Sequence, residues 1–104
     1  MYITRGCVML KVVAKLTVKK DKIEEFKKTA QELIIKSNAE EQNIFYTLNQ
    51  SVEDEQKFAF IECWKDSDAL KAHEASEHFT KIFPMLGELA ESSAPVELYN
   101  EVEY

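Results

Sequence analysis

The sequence predicts an α+β domain in which the elements follow the order β-α-β-β-α-β. Four segments alternate apolar and polar residues or are rich in β-branched and aromatic residues, which is typical of strands. Two longer segments repeat apolar residues at intervals of three and four, which is typical of amphipathic helices. The length of 104 residues allows one modest core and not two. This order gives a ferredoxin-like sandwich, with a four-stranded antiparallel sheet covered by helices on one face.

The first strand and the first helix are predicted from a change of period. In residues 8–18, one face of a strand collects the apolar residues Leu10, Val12, Ala14, Leu16 and Val18. In residues 19–38 the apolar spacing becomes helical, with Ile23, Phe26, Ala30, Leu33 and Ile34. Asp21 is predicted to cap this helix, with Glu24 as its capping-box partner.

The second and third strands are predicted to be antiparallel neighbours. Residues 43–52 and 57–65 are both rich in aromatic and β-branched side chains. Only the polar segment 53–56 connects them, and so short a loop joins strands that run in opposite directions.

The second helical zone is predicted to be interrupted before the last strand. Asp66 is the predicted N-cap, the pattern breaks near Ser76, and Pro84 predicts a kink or a new helix start. Pro95 is expected to end the zone. Residues 96–102 alternate apolar and polar side chains and form the predicted fourth strand.

The domain is assigned to residues 8–104. Residues 1–7 do not continue its pattern and are treated as an N-terminal tail, because Met9 could be an alternative start. Cys7 and Cys63 lack the CxxC spacing of redox or zinc motifs, so free thiols in a reducing compartment are expected. With no signal peptide and no long apolar run, a cytoplasmic location is expected.

Charge and glycine content exclude several classes of function. The formal net charge is -6, which argues against a nucleic-acid binder and against docking on anionic membranes. The chain has two glycines, so neither a P-loop nor a dinucleotide fingerprint is present. No nucleotide or flavin cofactor is therefore expected.

The third strand is apolar on both faces, which predicts a homodimer. One face carries Phe58, Phe60, Glu62 and Trp64, and the other carries Ala59, Ile61 and Cys63. Helices on one side of the sheet leave the second face open, and the chain has no spare element to cover it. A second copy, packed sheet to sheet, is the expected partner.

Two histidines are candidates for general-base chemistry. His73 and His78 lie five residues apart in the second helical zone, so they need not share a helix face. Surface or capping roles are the alternative. The absence of HxH and HExxH motifs predicts no metal site.

The apolar face of the third strand holds the other candidates. Glu62 either meets Lys11 or Lys15 near a sheet end or borders a cavity. Trp64 is either core or a cavity wall whose indole N–H needs an acceptor. Phe79 and Phe83, at positions i and i+4, line either the core or an apolar pocket.

Residues 58–79 resemble the signature of the antibiotic biosynthesis monooxygenase family. In that family the third strand ends in Glu-x-Trp, a charged turn follows, and a helix carries Ala-His and then His-Phe. The matching positions here are Glu62, Trp64, Asp66, His73, His78 and Phe79. The resemblance extends over residues 8–104 and implies a small dimeric α/β barrel.

The resemblance implies several activities, which the residues separate. Haem degraders of the family use an Asn on the first strand, where this chain has Ala14, so haem degradation is disfavoured. The monooxygenases act without a cofactor on quinols and aromatic polyketides, with polar residues around a cavity. Trp64 matches by position, and Asn49 and Tyr46 are looser candidates.

The function that the resemblance implies for these residues is oxidation of a quinol or another electron-rich aromatic by dioxygen. His73 is the expected base, half exposed at the strand end, Trp64 the wall and N–H donor, and Glu62 the group that orients a histidine or water. The expected pocket lies between the helices and the sheet, near Phe58, Phe60, His78, Phe79, Phe83 and Asn49.

Two alternatives are kept. An isomerase of a small phosphorylated signal molecule would need a cationic residue at the pocket mouth, such as Lys65 or Lys71. A non-catalytic dimer that binds a small apolar ligand would keep the pocket while its histidines face solvent.

Overall fold

The computed structural model describes residues 9–104, so the predicted tail of residues 1–7 and its Cys7 lie outside it. The described chain forms five strands and three helices. They are β1 (Leu10–Val18), α1 (Ile23–Asn38), β2 (Asn43–Gln50), β3 (Lys57–Trp64), α2 (Ser67–Glu74), α3 (Glu77–Leu89), β4 (Ala90–Ser93) and β5 (Glu97–Asn100). This is the predicted ferredoxin-like α+β fold.

The sheet is antiparallel and has β1 and β3 at its centre. Its strands follow the order β2-β3-β1-β4, and β5 also pairs with β1. Ala14 of β1 lies opposite Phe60 of β3, and Tyr46 of β2 lies opposite Glu62. Side chains opposite one another share a face, so this register places Tyr46, Phe60 and Glu62 on the same side of the sheet.

The expectation of four strands is wrong, because two short strands occupy one edge of β1. The sequence predicts a helical zone that continues to Pro95. In the structure the backbone becomes extended at Ala90, and Ser93 pairs with Leu16 of β1. Pro95 has no N–H to donate, so the ladder is interrupted there and resumes where Glu97 lies opposite Val13. Hydrogen bonding to the open edge of β1 therefore favours extended backbone here, even though the apolar spacing is helical.

The helix starts follow local capping chemistry, with one exception. Asp66 accepts a hydrogen bond from the Ala69 N–H and caps α2, as predicted. The predicted cap at Asp21 is wrong, because that residue lies in a 3₁₀ turn and α1 begins at Ile23 without a side-chain cap. Ser76 caps α3, which continues through Pro84 rather than restarting there.

The core lies between the helices and one face of the sheet. Phe26 of α1 is fully buried against Phe58 of β3, with ring centroids 5.0 Å apart. Phe60 packs against Tyr46 at 5.7 Å. We call this helix-covered side the inner face and the opposite side the outer face. Within residues 9–104, no helix has the length and apolar character needed to cross a membrane.

Candidate active site

Two histidines and one glutamate converge at the corner between α2 and α3. His73 lies in the last turn of α2 and His78 in the first turn of α3. Because the helix is interrupted at Ser76, the two side chains do not have the relative orientation that one continuous helix would impose. Their ring centroids lie 5.9 Å apart. Glu40 joins them from the turn between α1 and β2, with Oε2 2.6 Å from His73 Nδ1 and 2.7 Å from His78 Nε2.

His73 is buried, with 1% of its surface exposed, so the expectation of a half-exposed side chain is wrong. Its ring lies among Trp64, Phe79 and Tyr46, at centroid distances of 4.5, 4.8 and 5.2 Å. Burial lowers the pKa of His73, and the hydrogen bond that its Nδ1 makes to Glu40 opposes this shift. Burial therefore favours the neutral form of the imidazole.

The second ring nitrogen of His73 is free. Nε2 is buried and has no hydrogen-bond partner among residues 9–104. Since a carboxylate oxygen only accepts, the contact with Glu40 places the proton of neutral His73 on Nδ1. Nε2 then carries the lone pair and can accept a proton from a bound molecule.

Glu62 and Trp64 form a second polar pair beside the histidine. The Trp64 Nε1–H donates to Glu62 Oε1 at 2.9 Å, and both residues are buried. Burial raises the pKa of Glu62, and the hydrogen bond from Trp64 offsets only part of this shift, so that the pKa is about 7. Trp64 is thus a wall of the site whose N–H is already used, and the carboxylate that contacts the histidines is Glu40 rather than Glu62.

The lysines offered as partners of Glu62 lie on the outer face. Lys11 pairs with Glu101 at 3.2 Å, and Lys15 pairs with Glu97 at 3.7 Å. Burial also raises the pKa of Tyr46, whose backbone lies opposite Glu62, and the charge of Glu62 adds to this effect.

The predicted pocket residues divide between two places. Phe79 and Phe83 are half-buried, their rings stack at 4.7 Å, and Phe83 packs 6.5 Å from Phe60. The Phe79 ring packs 4.8 Å from the His73 ring, beside which the sequence predicts an apolar cavity. Asn49 lies apart, on the outer face, where its Nδ2 donates to the carbonyl oxygen of Ala59.

Asn49 instead lines a pocket of about 470 Å³ on the outer face. Phe58 also borders this pocket, although its ring packs against Phe26 in the inner core. The pocket walls also include Lys15, Ala59 and Ser93, from β1, β3 and β4. No histidine lines it, so this pocket is separate from the cluster at Glu40.

Glu40, His73 and His78 could also hold a metal ion by residue type. Their ligand atoms all lie within 4.8 Å of one another, and two imidazoles with a carboxylate suit Zn²⁺. The separations of 2.6 and 2.7 Å are hydrogen-bond distances, whereas two ligands of one ion at 2.0–2.1 Å lie about 3 Å or more apart. The arrangement is that of a hydrogen-bonded network.

Sequence reasoning missed Glu40. It lies in the polar turn Ala39-Glu40-Glu41-Gln42, where it is indistinguishable from the exposed Glu41 beside it. At the end of α1, the Asn38 side chain donates to the Tyr46 carbonyl oxygen and accepts from the Tyr46 N–H, which ties the start of this turn to β2.

The fold and this cluster define a small α+β protein with a buried, carboxylate-bound histidine beside an aromatic wall. A family model described as "Antibiotic biosynthesis monooxygenase" matches residues 9–84. The chain therefore belongs to the antibiotic biosynthesis monooxygenase family.

The chain is also similar to a named relative and to solved structures. The chain is 42% identical over 71 residues to "Putative monooxygenase YcnE" of Bacillus subtilis (strain 168), covering 68% of this chain and 75% of the relative. A conserved protein from Methanosarcina mazei Go1 superposes with a TM-score of 0.88 at 33% identity, over 93% of this chain and 96% of that one. A structure titled as a putative antibiotic biosynthesis monooxygenase from Caulobacter crescentus CB15 gives 0.86 at 30% identity, over 92% of both chains.

Proposed function

We propose that the protein is a cofactor-independent monooxygenase that oxidises a quinol or another electron-rich aromatic with dioxygen. The observation that carries the proposal is the buried His73 imidazole, whose Nε2 has no hydrogen-bond partner among the described residues. Family membership and the name of the B. subtilis relative support a monooxygenase role.

The base makes the substrate reactive toward dioxygen. A phenol has a pKa of about 10, so transfer of its O–H proton to His73 Nε2 yields a phenolate that is a better electron donor. One electron then passes to dioxygen, and the semiquinone and superoxide combine at a ring carbon. Loss of water from the hydroperoxide leaves a hydroxyquinone, so one oxygen atom enters the ring, the other forms water, and the quinol is the only reductant.

The surroundings of His73 suit an aromatic substrate. Trp64, Tyr46 and Phe79 present ring surfaces around the imidazole, and offset or edge-to-face packing against a substrate ring is favourable. Exclusion of water by these rings strengthens the attraction between the phenolate and the imidazolium that forms on proton transfer.

Entry of the substrate requires side chains to move. Phe79 and Phe83 are half-buried and stack on one another above the buried His73 and Phe60. Rotation of the two phenylalanine rings would open the aromatic site without unfolding the sheet. We therefore place the entrance at this pair.

We also propose that the protein is a homodimer packed through the outer face. Apolar side chains remain uncovered there, including Ile61 at 36% and Tyr99 at 51% exposure. The paired Lys11–Glu101 and Lys15–Glu97 side chains border them. A second copy would bury this mixed surface and cover the 470 Å³ pocket.

Oxygen uptake with menadiol-type quinols tests the proposed function. The purified, chelator-treated wild-type protein should accelerate uptake above the autoxidation rate, and His73→Ala should remove the acceleration. Lys71→Ala is the matched control, because Lys71 is exposed on the same helix and is one of the two cations, with Lys65, that could serve the isomerase alternative. Wild-type protein without acceleration over a panel of quinols and phenols would overturn the proposal.

A further inference from the structure

A single carboxylate oxygen serves both histidines of the chain. Glu40 Oε2 lies 2.6 Å from His73 Nδ1 and 2.7 Å from His78 Nε2. Three separate elements supply this cluster: the turn after α1, the end of α2 and the start of α3. The side chains grade from buried His73, at 1% exposure, to Glu40 and His78 at 19% and 14%.

This geometry fixes the two imidazoles in opposite tautomers. An ionised carboxylate has no proton to give, so each nitrogen that contacts it must be the one that carries hydrogen. For the neutral rings, His73 then holds its proton on Nδ1 and His78 holds its proton on Nε2. The free nitrogen of His73 is consequently Nε2, which faces the aromatic interior.

We propose that Glu40 is the positioning residue of the site, fixing the Nδ1–H tautomer of His73 and stabilising the charge that this ring gains on accepting a proton. His78 holds Glu40 from the solvent side. The catalytic part of this proposal rests on the proposed function, since it assumes that His73 is the base. The tautomers themselves do not depend on any activity.

The two histidines together restrict the Glu40 side chain, and Glu40 in turn fixes the position of the His73 proton. Charge-assisted hydrogen bonds to a carboxylate are short and roughly twice as strong as neutral ones, and two of them restrict the rotation of the Glu40 side chain. Without Glu40, nothing described in the structure would hold the His73 proton on Nδ1. A ring protonated on Nε2 could not accept the substrate proton at that atom.

Nitrogen-15 NMR of the imidazoles reads the tautomers directly, because the full chain contains only two histidines. In tag-free wild-type protein above the histidine pKa values, we expect one ring protonated on Nδ1 and the other on Nε2. His78→Gln assigns the two sets of signals. Any other tautomer for His73 overturns the proposal, whether or not the protein turns over a quinol.

Substitutions at Glu40 separate geometry from charge. Glu40→Ala should let His73 populate both tautomers and lower kcat about 10²-fold with little change in KM, since orienting carboxylates in catalytic triads contribute up to about 10⁴-fold. Glu40→Gln keeps an accepting oxygen, so it should retain the His73 tautomer and recover part of kcat. Glu41→Ala, an exposed neighbour in the same turn, should match wild type in both readouts.

Three outcomes contradict the proposal. A Glu40→Ala protein that folds and keeps a single Nδ1–H tautomer shows that Glu40 does not set it. Unchanged kcat in that variant, with an altered tautomer, shows that the tautomer does not limit catalysis. Stoichiometric Zn²⁺ binding that shifts both imidazole signals and raises activity shows instead that the cluster is a metal site.

Discussion

The inner and outer faces of the sheet are built from alternate residues of the same strands, yet they end in opposite states. On β3, Phe60, Glu62 and Trp64 point inward and are buried, whereas Ile61 between them points outward and is 36% exposed. The inner face is closed by its own helices and holds the buried histidine. No helix of residues 9–104 covers the outer face. One strand therefore carries the candidate site on one side and the candidate interface on the other, one side chain apart.

A substitution at His73 on the inner face should have the largest effect of those predicted, and that effect is on quinol turnover. His73→Ala should lower quinol turnover by about 10²–10⁴-fold, the range for loss of a general base. Because His73 is fully buried, the variant also leaves a cavity and should melt at a lower temperature. His73→Gln fills more of that space and should lose the same activity with a smaller drop in melting temperature. Wild-type turnover in either folded variant would remove His73 from the mechanism.

A charge on the outer face should dissociate the proposed dimer. Ile61→Lys places an unpaired ammonium in the expected interface and should cost about 3–5 kcal/mol of association free energy. Light scattering should give twice the chain mass of 12.0 kDa for wild type and the chain mass for the variant.

Ile35→Lys is the matched control, because Ile35 is 61% exposed on α1, on the helical side of the molecule. It should remain dimeric. Wild-type protein that scatters as a monomer at micromolar concentration would contradict the assignment of the outer face as an interface.

The pH dependence of stability should reveal the buried Glu62. Its folded pKa of about 7 lies above the ordinary value of 4.5, so the protonated form stabilises the fold. That contribution is full below about pH 4.5 and is lost as the pH rises through 7, by at most about 3 kcal/mol.

Glu62→Gln should remove this component. Urea unfolding at fixed protein concentration from pH 5 to 8 should then show a smaller decline for the variant than for wild type. Glu41→Gln, in the exposed turn, should keep the wild-type slope. Parallel curves for Glu62→Gln and wild type would show that Glu62 is already ionised at pH 5.

The smallest predicted effect is the slow thiol labelling of Cys63, a residue that shows where the outer face is closed. Its side chain points outward but is 1% exposed, with Sγ 3.7 Å from Met9 Sδ, and burial raises its thiol pKa. Thiol reagents should therefore label it slowly in native protein and quickly in urea. Cys7→Ser removes the other thiol, so that the signal comes from Cys63 alone. Fast native labelling would show that this corner of the outer face opens.

The spacing of apolar residues and the helix-capping residues predicted most of the fold. The alternation in β1 and the stripe in α1 survive in the structure because burial of an apolar face dominates both elements. The β4 strand was missed because its pairing depends on the free edge of β1, which no local pattern in Ala90–Ser93 reveals.

The candidate site could be predicted only in part. His73 and Trp64 were found because their residue types stand out in apolar or helical surroundings. Glu40 was not, since its role depends on a contact with residues 33 and 38 positions further along the chain. The burial of His73 likewise depends on residues distant in the sequence, since its ring packs against Tyr46 and Trp64.

Labelling with ¹⁸O₂ tests the central claim most directly. Chelator-treated wild-type protein, a quinol and ¹⁸O₂ should yield a hydroxyquinone with one ¹⁸O atom, and labelled water should account for the other. His73→Ala should give only the background of the protein-free reaction. A labelled product formed equally by wild type and His73→Ala, or an unlabelled product from wild type, would contradict protein-only oxygen transfer at His73.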